Sequence, residues 1–289
     1  MTELTVCIGK FDALHRGHRA LAAASAGTPV ALLSFAGMPA ALGWTPRQPL
    51  VAAADRPRIL AEWSAQLGAP VSETSLPFSA IRVLDAPGFC RVLHARLRAT
   101  ALVVGSDFRG GRDRATDATG FMVAAAAAGM RCTVVPVVND DLGPVSSTRL
   151  RAALAAGEVA AAAAGLGRPH RLCGTVVRGE GRGRRIGVPT ANLGERRNLA
   201  PGHGVYAAWA WLGGERIRAA VNIGRLPTVS PDHAETVEAH LLDWEGDCYG
   251  ADLALEFVVR IREERRFAGL PELVTQIQRD VAAVRAALG

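Results

Sequence analysis

Two histidines stand three residues apart around a glycine in GKFDALHRGH, residues 9–18: His15, Gly17 and His18. The apolar run LTVCIG (4–9) reads as a buried strand, and HRALAAASA (18–26) reads as a helix. A strand–turn–helix start places the histidines at a helix N-terminus, where backbone N–H groups lack partners and the dipole end is positive. Such a place suits an anion. Gly17 admits a phosphate close to the backbone, and imidazoles donate to phosphate oxygens and stabilise charge that develops on them. Taken alone, the HxGH pattern reads equally well as two surface histidines. A metal pair is disfavoured, because no third His or Cys stands nearby. The chain's single lysine, Lys10, lies in the same stretch and reads as a phosphate ligand or as a solvated side chain.

Four further stretches carry chemistry. SSTRLR (146–151) offers the hydroxyls of Ser146, Ser147 and Thr148 at a helix start, with Arg149 and Arg151 to neutralise phosphate. GSDFRGGRDRATD (105–117) reads as a loop in which Asp107 and Arg109 face a ribose or a phosphate, or as a plain surface turn. GTVVRGEGRGRRIGVPTANL (174–193) interleaves glycine with arginine; Gly181, Gly183, Arg184 and Gly187 can turn N–H groups and charge toward phosphates. Pro189 then fixes the chain before Thr190 and Asn192, a hydroxyl and an amide suited to magnesium and nucleotide oxygens. In ETVEAHLLDW (235–244), strand alternation puts Glu238 and His240 on one face.

The elements that must position these residues fall into two styles. Residues 1–140 alternate strand-like runs (PVALLSF, ALVVG, CTVVPVV) with helix-like ones (PGFCRVLHARLRAT, GFMVAAAAAG). DRPRILAEWSAQLG is an amphipathic helix with Asp55 as its N-cap candidate and Pro57 two residues on. This βαβα order predicts a parallel, doubly wound sheet, whose ligands bind beyond the carboxyl ends of the strands. GKFD and GSDFRGG both stand at such ends. Residues 146–167 predict two short helices broken at Gly157, and GRPH (167–170) reads as a linker. After residue 171 five strand-like runs separated by turns predict a small antiparallel barrel or sandwich. An amphipathic helix closes the chain, with Leu273, Ile277, Val281 and Val284 at helical spacing.

Composition sets the bounds. The 289 residues are 49% hydrophobic and 21% charged, which is globular and sufficient for two cores. Five scattered cysteines with no CxxC argue against a disulfide framework and a cysteine zinc site, and read as buried free thiols. The net charge of +6 is almost wholly arginine and lacks a basic run, which does not favour nucleic acid as a partner and fits phosphate-bearing small molecules. No run is long and apolar enough to span a membrane, and MTELTVCIG has no basic region before its apolar run, so a cytoplasmic protein is expected.

In their order, GKFDALHRGH, GSDFRGG and SSTRLR resemble the HxGH nucleotidyltransferases. More closely, they resemble the first module of the bacterial bifunctional riboflavin kinase/FMN adenylyltransferase (FAD synthetase) family. GVPTANL, NIGRLPT (222–228) and VEAHLLDWEGDCYG (237–250) resemble its riboflavin kinase module. The resemblance implies an α/β doubly wound nucleotidyltransferase-like domain over residues 1–165. It also implies a six-stranded antiparallel β-barrel with a C-terminal helix over residues 166–289. ATP and Mg2+ would serve both, and riboflavin, FMN and FAD would be substrates and products. His15, His18 and Arg149 would stabilise the transferring phosphates. Gly9, Phe11, Asp12, Gly17, Asp107, Arg109, Ser146, Ser147 and Thr148 would hold the nucleotide and flavin. Glu238 would be the base of the kinase, and Thr190 and Asn192 would hold magnesium. Departures from the family pattern are Ala13 for glycine, Gly110 for the second Phe of DFRFG, a loose SFAGMP (34–39), Val188 for Phe, Leu226 for Arg and Cys248 before YG. The first two motivate a second reading, a paralogue with an active kinase and a weak adenylyltransferase or a modified flavin acceptor. A third is a non-catalytic flavin- or RNA-binding regulator. Self-association into a homo-oligomer is left open.

Overall fold

The computed structural model describes residues 3–179, 181, 183, 186–225 and 235–289. The chain forms two compact units: Met1–Arg47 with Ala54–Ser146, and Gln48–Ala53 with Ser147–Gly289.

In the first unit a five-stranded parallel sheet has strands β1 (Thr5–Ile8), β2 (Val30–Ala36), β3 (Val71–Pro77), β4 (Ala101–Gly105) and β5 (Arg131–Val135) in the order β3-β2-β1-β4-β5. All four residues of β1 are buried, as a central parallel strand covered on both faces requires. Helices α1 (Arg16–Ala23), α2 (Arg56–Leu67), α3 (Ala86–Leu97) and α4 (Ala118–Ala127) supply the crossovers. Asp55 stands at the N-cap of α2 but makes no capping bond; its carboxylate instead accepts from Arg58 Nε at 2.8 Å. Strand β1 pairs directly with β4, so the turn after Ile8 and the loop after Gly105 leave the same carboxyl edge side by side. The doubly wound parallel sheet expected from the sequence is therefore present, with β3 as an additional edge strand. Of that strand's seven residues only Val71 and Leu76 are buried, so it carries little apolar signal.

The second unit opens with α5 (Ser147–Ala155) and α6 (Val159–Leu166), separated at Gly157 (φ 77°). Six strands follow: β6 (His170–Val177), β7 (Ala191–Gly194), β8 (Gly204–Leu212), β9 (Glu215–Arg225), β10 (Glu235–Leu241) and β11 (Asp252–Arg262). They close an antiparallel barrel in the order β6-β7-β10-β9-β8-β11. Alternation sends Val237, Ala239 and Leu241 of β10 inward, with Ala219, Val221 and Ile223 of β9, and leaves the residues between them outward. The closing helix α7 (Leu270–Leu288) uses its apolar stripe in two ways. Val284 is buried against Ala207 and Leu242, Leu273 and Ile277 line a pocket, and Val281 does both, packing on the same cluster and lining the pocket.

The segment Gln48–Ala53 belongs to this second unit, although the residues flanking it belong to the first. It lies as a strap with Leu50, Val51 and Ala52 buried. Leu199 N donates to Pro49 O at 2.9 Å, Asn198 Nδ2 to Leu50 O at 3.2 Å and Arg151 Nη1 to Gln48 O at 2.7 Å. Arg151, one of the two arginines that the sequence offers to phosphate, makes that bond through a single guanidinium nitrogen. Among the cysteines, Cys7, Cys90 and Cys173 are buried and Cys132 and Cys248 half-buried, all as free thiols. Burial pushes the Cys7 thiol up to about 12, so it stays neutral.

Candidate active sites

The turn between β1 and α1 is built on two left-handed residues, Phe11 (φ 50°) and Leu14 (φ 46°). Both side chains are fully buried, and Arg56 Nη2 donates to the Phe11 carbonyl at 2.8 Å while its guanidinium also pairs with Glu73. Backbone of this kind costs about 1–3 kcal/mol per residue and persists only where its surroundings over-determine it. Here the buried rings and the Arg56 clamp do so. The product of this strain is the placement of His15, which caps α1: its Nδ1 accepts from His18 N at 3.3 Å. That bond leaves the N–H of a neutral His15 on Nε2, as a donor. The two imidazoles stack at 3.7 Å between centroids and 16° between planes, and Phe11 meets His18 edge-on at 4.9 Å. A Cβ at Gly17 would lie 3.0 Å from His15 Cε1, so the glycine of HxGH makes room for the histidine ring. The Val145 carbonyl lies 3.9 Å from that same point, so the chain just before Ser146 passes beside the turn.

Lys10 lies 4.0 Å above the Trp44 ring, within cation–π range. Its ammonium is lowered from the ordinary lysine value, first by burial and then by Arg114, with Asp12 opposing. On the neighbouring loop Asp107 folds back over Gly105, its Oδ1 2.8 Å from where a Cβ would stand. Arg109 Nε donates to Arg114 O at 3.2 Å, which ties the loop to itself. Gly110 lies under Phe108, whose ring packs on Phe121 at 5.1 Å. Ser146 closes the first unit, and Ser147, Thr148 and Arg149 form the first turn of α5 in the second.

The second site is a pocket of about 950 Å³ on the outer face of the barrel, walled by β7, β10, β9 and α7. Register brings Asn192 of β7 opposite Glu238 of β10, and Glu238 opposite Asn222 of β9, so an amide flanks the carboxylate on each side. Thr190 Oγ1 donates to Glu238 Oε2 at 3.3 Å. His240, two residues along β10 on the same face, bonds through Nδ1 to the Pro189 carbonyl at 2.8 Å. A Cβ at Gly179 would lie 2.4 Å from the Asn192 Nδ2, so this glycine admits the Asn192 amide. Gly181 and Gly183 line the pocket, and Gly187 (φ 76°) completes the turn that Val188 N closes on Gly183 O at 2.9 Å. Arg184 and Leu226 lie outside the described residues.

The far wall carries an ion pair that sequence reasoning missed. Asp280 of α7, 5% exposed, accepts from Arg262 Nη2 at 2.7 Å and from Gln276 Nε2 at 2.7 Å. Its only sequence signal is a charged residue between the apolar positions of an amphipathic helix. Asn222 was legible only as part of NIGRLPT. The donors that converge on Glu238 are oxygens and amides. Among the described residues no three His, Cys, Asp or Glu side chains come together as a metal cage. Thr190, Asn192 and Glu238 therefore suit a hard cation shared with phosphate oxygens, such as Mg2+.

Known proteins resemble the chain in both halves. The family model described as FAD synthetase matches residues 1–149, and the one described as riboflavin kinase matches residues 166–288. The bifunctional riboflavin kinase/FMN adenylyltransferase of Pseudomonas fluorescens is 36% identical over 289 residues, covering 96% of this chain and 91% of that protein. The Escherichia coli K12 protein of the same description is 36% identical over 291 residues, covering 98% and 92%. A crystal structure described as a macrolide-efflux protein from Streptococcus pneumoniae superposes with a TM-score of 0.84 at 28% identity, covering 98% of this chain and 94% of that one. Among the described residues no helix is long and apolar enough to cross a membrane.

Proposed function

The chain belongs to the bifunctional riboflavin kinase/FMN adenylyltransferase family, and from that membership we propose which of its residues perform each step. The two activities are ATP-dependent phosphorylation of riboflavin to FMN and adenylylation of FMN to FAD, both with Mg2+.

We assign the kinase step to the barrel pocket. Glu238 takes the proton of the ribityl 5′-hydroxyl as its oxygen attacks the γ-phosphorus of ATP and ADP leaves. Thr190 and Asn192 would hold the cation and the nucleotide phosphates, and Mg2+ there would supply charge that offsets the phosphates. Gly181, Gly183 and Gly187 form the phosphate-facing turn, Arg184 is assigned to the phosphates on the family pattern alone, and Leu273 and Ile277 give the flavin ring an apolar wall. The observation that carries this reading is the Thr190 hydroxyl on the Glu238 carboxylate inside the Asn192–Glu238–Asn222 row.

We assign adenylyl transfer to the β1–α1 turn. An FMN phosphate oxygen attacks the α-phosphorus of ATP and pyrophosphate leaves. His15, through its Nε2–H, and His18 stabilise the charge on the transferring group. Phe11 stands behind the histidines and sets them, and Gly9, Asp12 and Gly17 shape the turn. Asp107 and Arg109 belong to the nucleotide side. Ser146, Ser147, Thr148 and Arg149 offer hydroxyls and charge for the outgoing phosphates. We divide the activities at residues 165/166, in the cytoplasm, with small molecules as partners. Glu238→Gln is the test: with riboflavin, ATP and Mg2+ it forms FMN at least about 100-fold more slowly, while FMN is still converted to FAD. Normal FMN formation by that variant overturns the assignment.

A further inference from the structure

We propose that His240 is a positioning residue of the kinase site: its Nδ1–H holds the Pro189 carbonyl and so sets the turn that brings Thr190 and Asn192 to Glu238. The proposal rests on Glu238 being the base of the kinase step.

The turn needs a fastening at this point. The β7 ladder begins only at Ala191, where Ala191 pairs with Ala239 and Asn192 with Glu238. Upstream, among the described residues, the backbone bonds from Ile186 N at 3.1 Å and Val188 N at 2.9 Å both run to Gly183 O, within the turn itself. Pro189 has no N–H to donate. Two side chains of β10 reach across this gap. Glu238 accepts from the Thr190 hydroxyl at 3.3 Å, and His240 bonds to Pro189 O at 2.8 Å. They stand two residues apart on one face of the strand and take hold of two successive residues of the turn. The His240 bond is the shorter of the two and does not involve the reacting carboxylate. It can therefore hold the turn while Glu238 exchanges its proton.

A carbonyl oxygen only accepts, so the imidazole must carry its proton on Nδ1. That requirement separates a positioning role from simple space filling. Asparagine places an amide N–H close to where Nδ1 stands; glutamine places it near Nε2, where it misses the Pro189 carbonyl. His240→Gln and His240→Ala are expected to lower riboflavin kinase kcat/KM by about 10–100-fold, as loss of a residue behind a metal ligand does. The loss comes largely as a raised Mg2+ and ATP requirement. His240→Asn is expected to recover activity to within a few-fold of the parent. FAD formation from FMN by the same chains stays unchanged and reports on the first unit, while a thermal melt with the parental midpoint reports that the barrel is folded. A two-bond 1H–15N spectrum of the parent protein is expected to show the His240 proton on Nδ1. Loss of FMN formation in Glu238→Gln combined with parental kinetics in His240→Gln overturns the latch alone, as does a proton found on Nε2. Kinase activity in Glu238→Gln overturns the reading of the pocket and the latch with it.

Discussion

Ala13 replaces a glycine of the family's start motif, and the structure shows where the strain of that turn resides. The left-handed residues are Phe11 and Leu14; Ala13 is fully buried and not among them. Alanine therefore fits its backbone, and the first motive for a weakened adenylyltransferase falls away. Ala13→Gly is expected to leave FAD formation unchanged and to lower stability by about 1 kcal/mol, through chain entropy and a lost methyl contact. A thermal melt and an FMN-to-FAD assay check both, and faster FAD formation would mean that the alanine constrains the turn. At Gly110, the second departure, the Phe108 ring takes the space a side chain would need, 2.8 Å from where a Cβ would stand. Gly17 is the opposite case. Gly17→Ala puts a methyl 3.0 Å from the His15 ring, which must give by a fraction of an ångström, and FAD formation is expected to fall by about 10-fold. FMN formation by the same protein is expected to hold.

Whole elements were legible where burial imposed a pattern. ALVVG is β4 to the residue, and the helix break at Gly157 falls where the sequence put it. β3 was missed because VSETSLP shows only two buried positions, and β7 because four residues after a proline carry no periodicity of their own. The HxGH, PTAN and Glu238 positions could be read locally. What could not be read were the long-range bonds that set them: Arg56 on the Phe11 carbonyl, His240 on Pro189, Asp280 on Arg262. None follows from spacing, because each partner lies on a different element. Helix α7 depends on such bonds. Removing the buried Asp280 carboxylate leaves Arg262 without its partner, so Asp280→Ala is expected to cost about 3 kcal/mol in a denaturant melt and to slow FMN formation. At the helix end Asp243 accepts from Arg285 Nη2 at 2.7 Å, a bond that holds its carboxyl below the usual range. A depressed carboxylate stabilises above its unfolded pKa of about 3.9 and ceases to do so as pH falls through the lower folded value. Asp243→Asn is therefore expected to lower the melting temperature slightly at pH 7 and to make no difference below about pH 2.

At the scale of the molecule the two sites draw on different physics. One is a strained turn at a helix start, the other a polar row on the outside of a barrel. His15 and His18 belong to the first unit and Glu238 to the second, so each activity is expected to be removable alone. A His15→Ala/His18→Ala double variant is expected to accumulate FMN from riboflavin with no FAD, measured by separating the flavins after incubation with ATP and Mg2+. Loss of FMN formation in that variant would show that the steps are not separable. The strap of residues 48–53 sets a limit on how far that separability goes. The kinase unit is not one continuous stretch of chain: six of its residues are encoded about a hundred positions upstream of the rest, and three of them are apolar side chains seated in it. Neither a gene split nor a protease nick at residue 165 yields a whole kinase. The downstream fragment would carry an empty greasy slot, and its solubility would turn on giving back the strap together with α5 and α6, which the other fragment keeps.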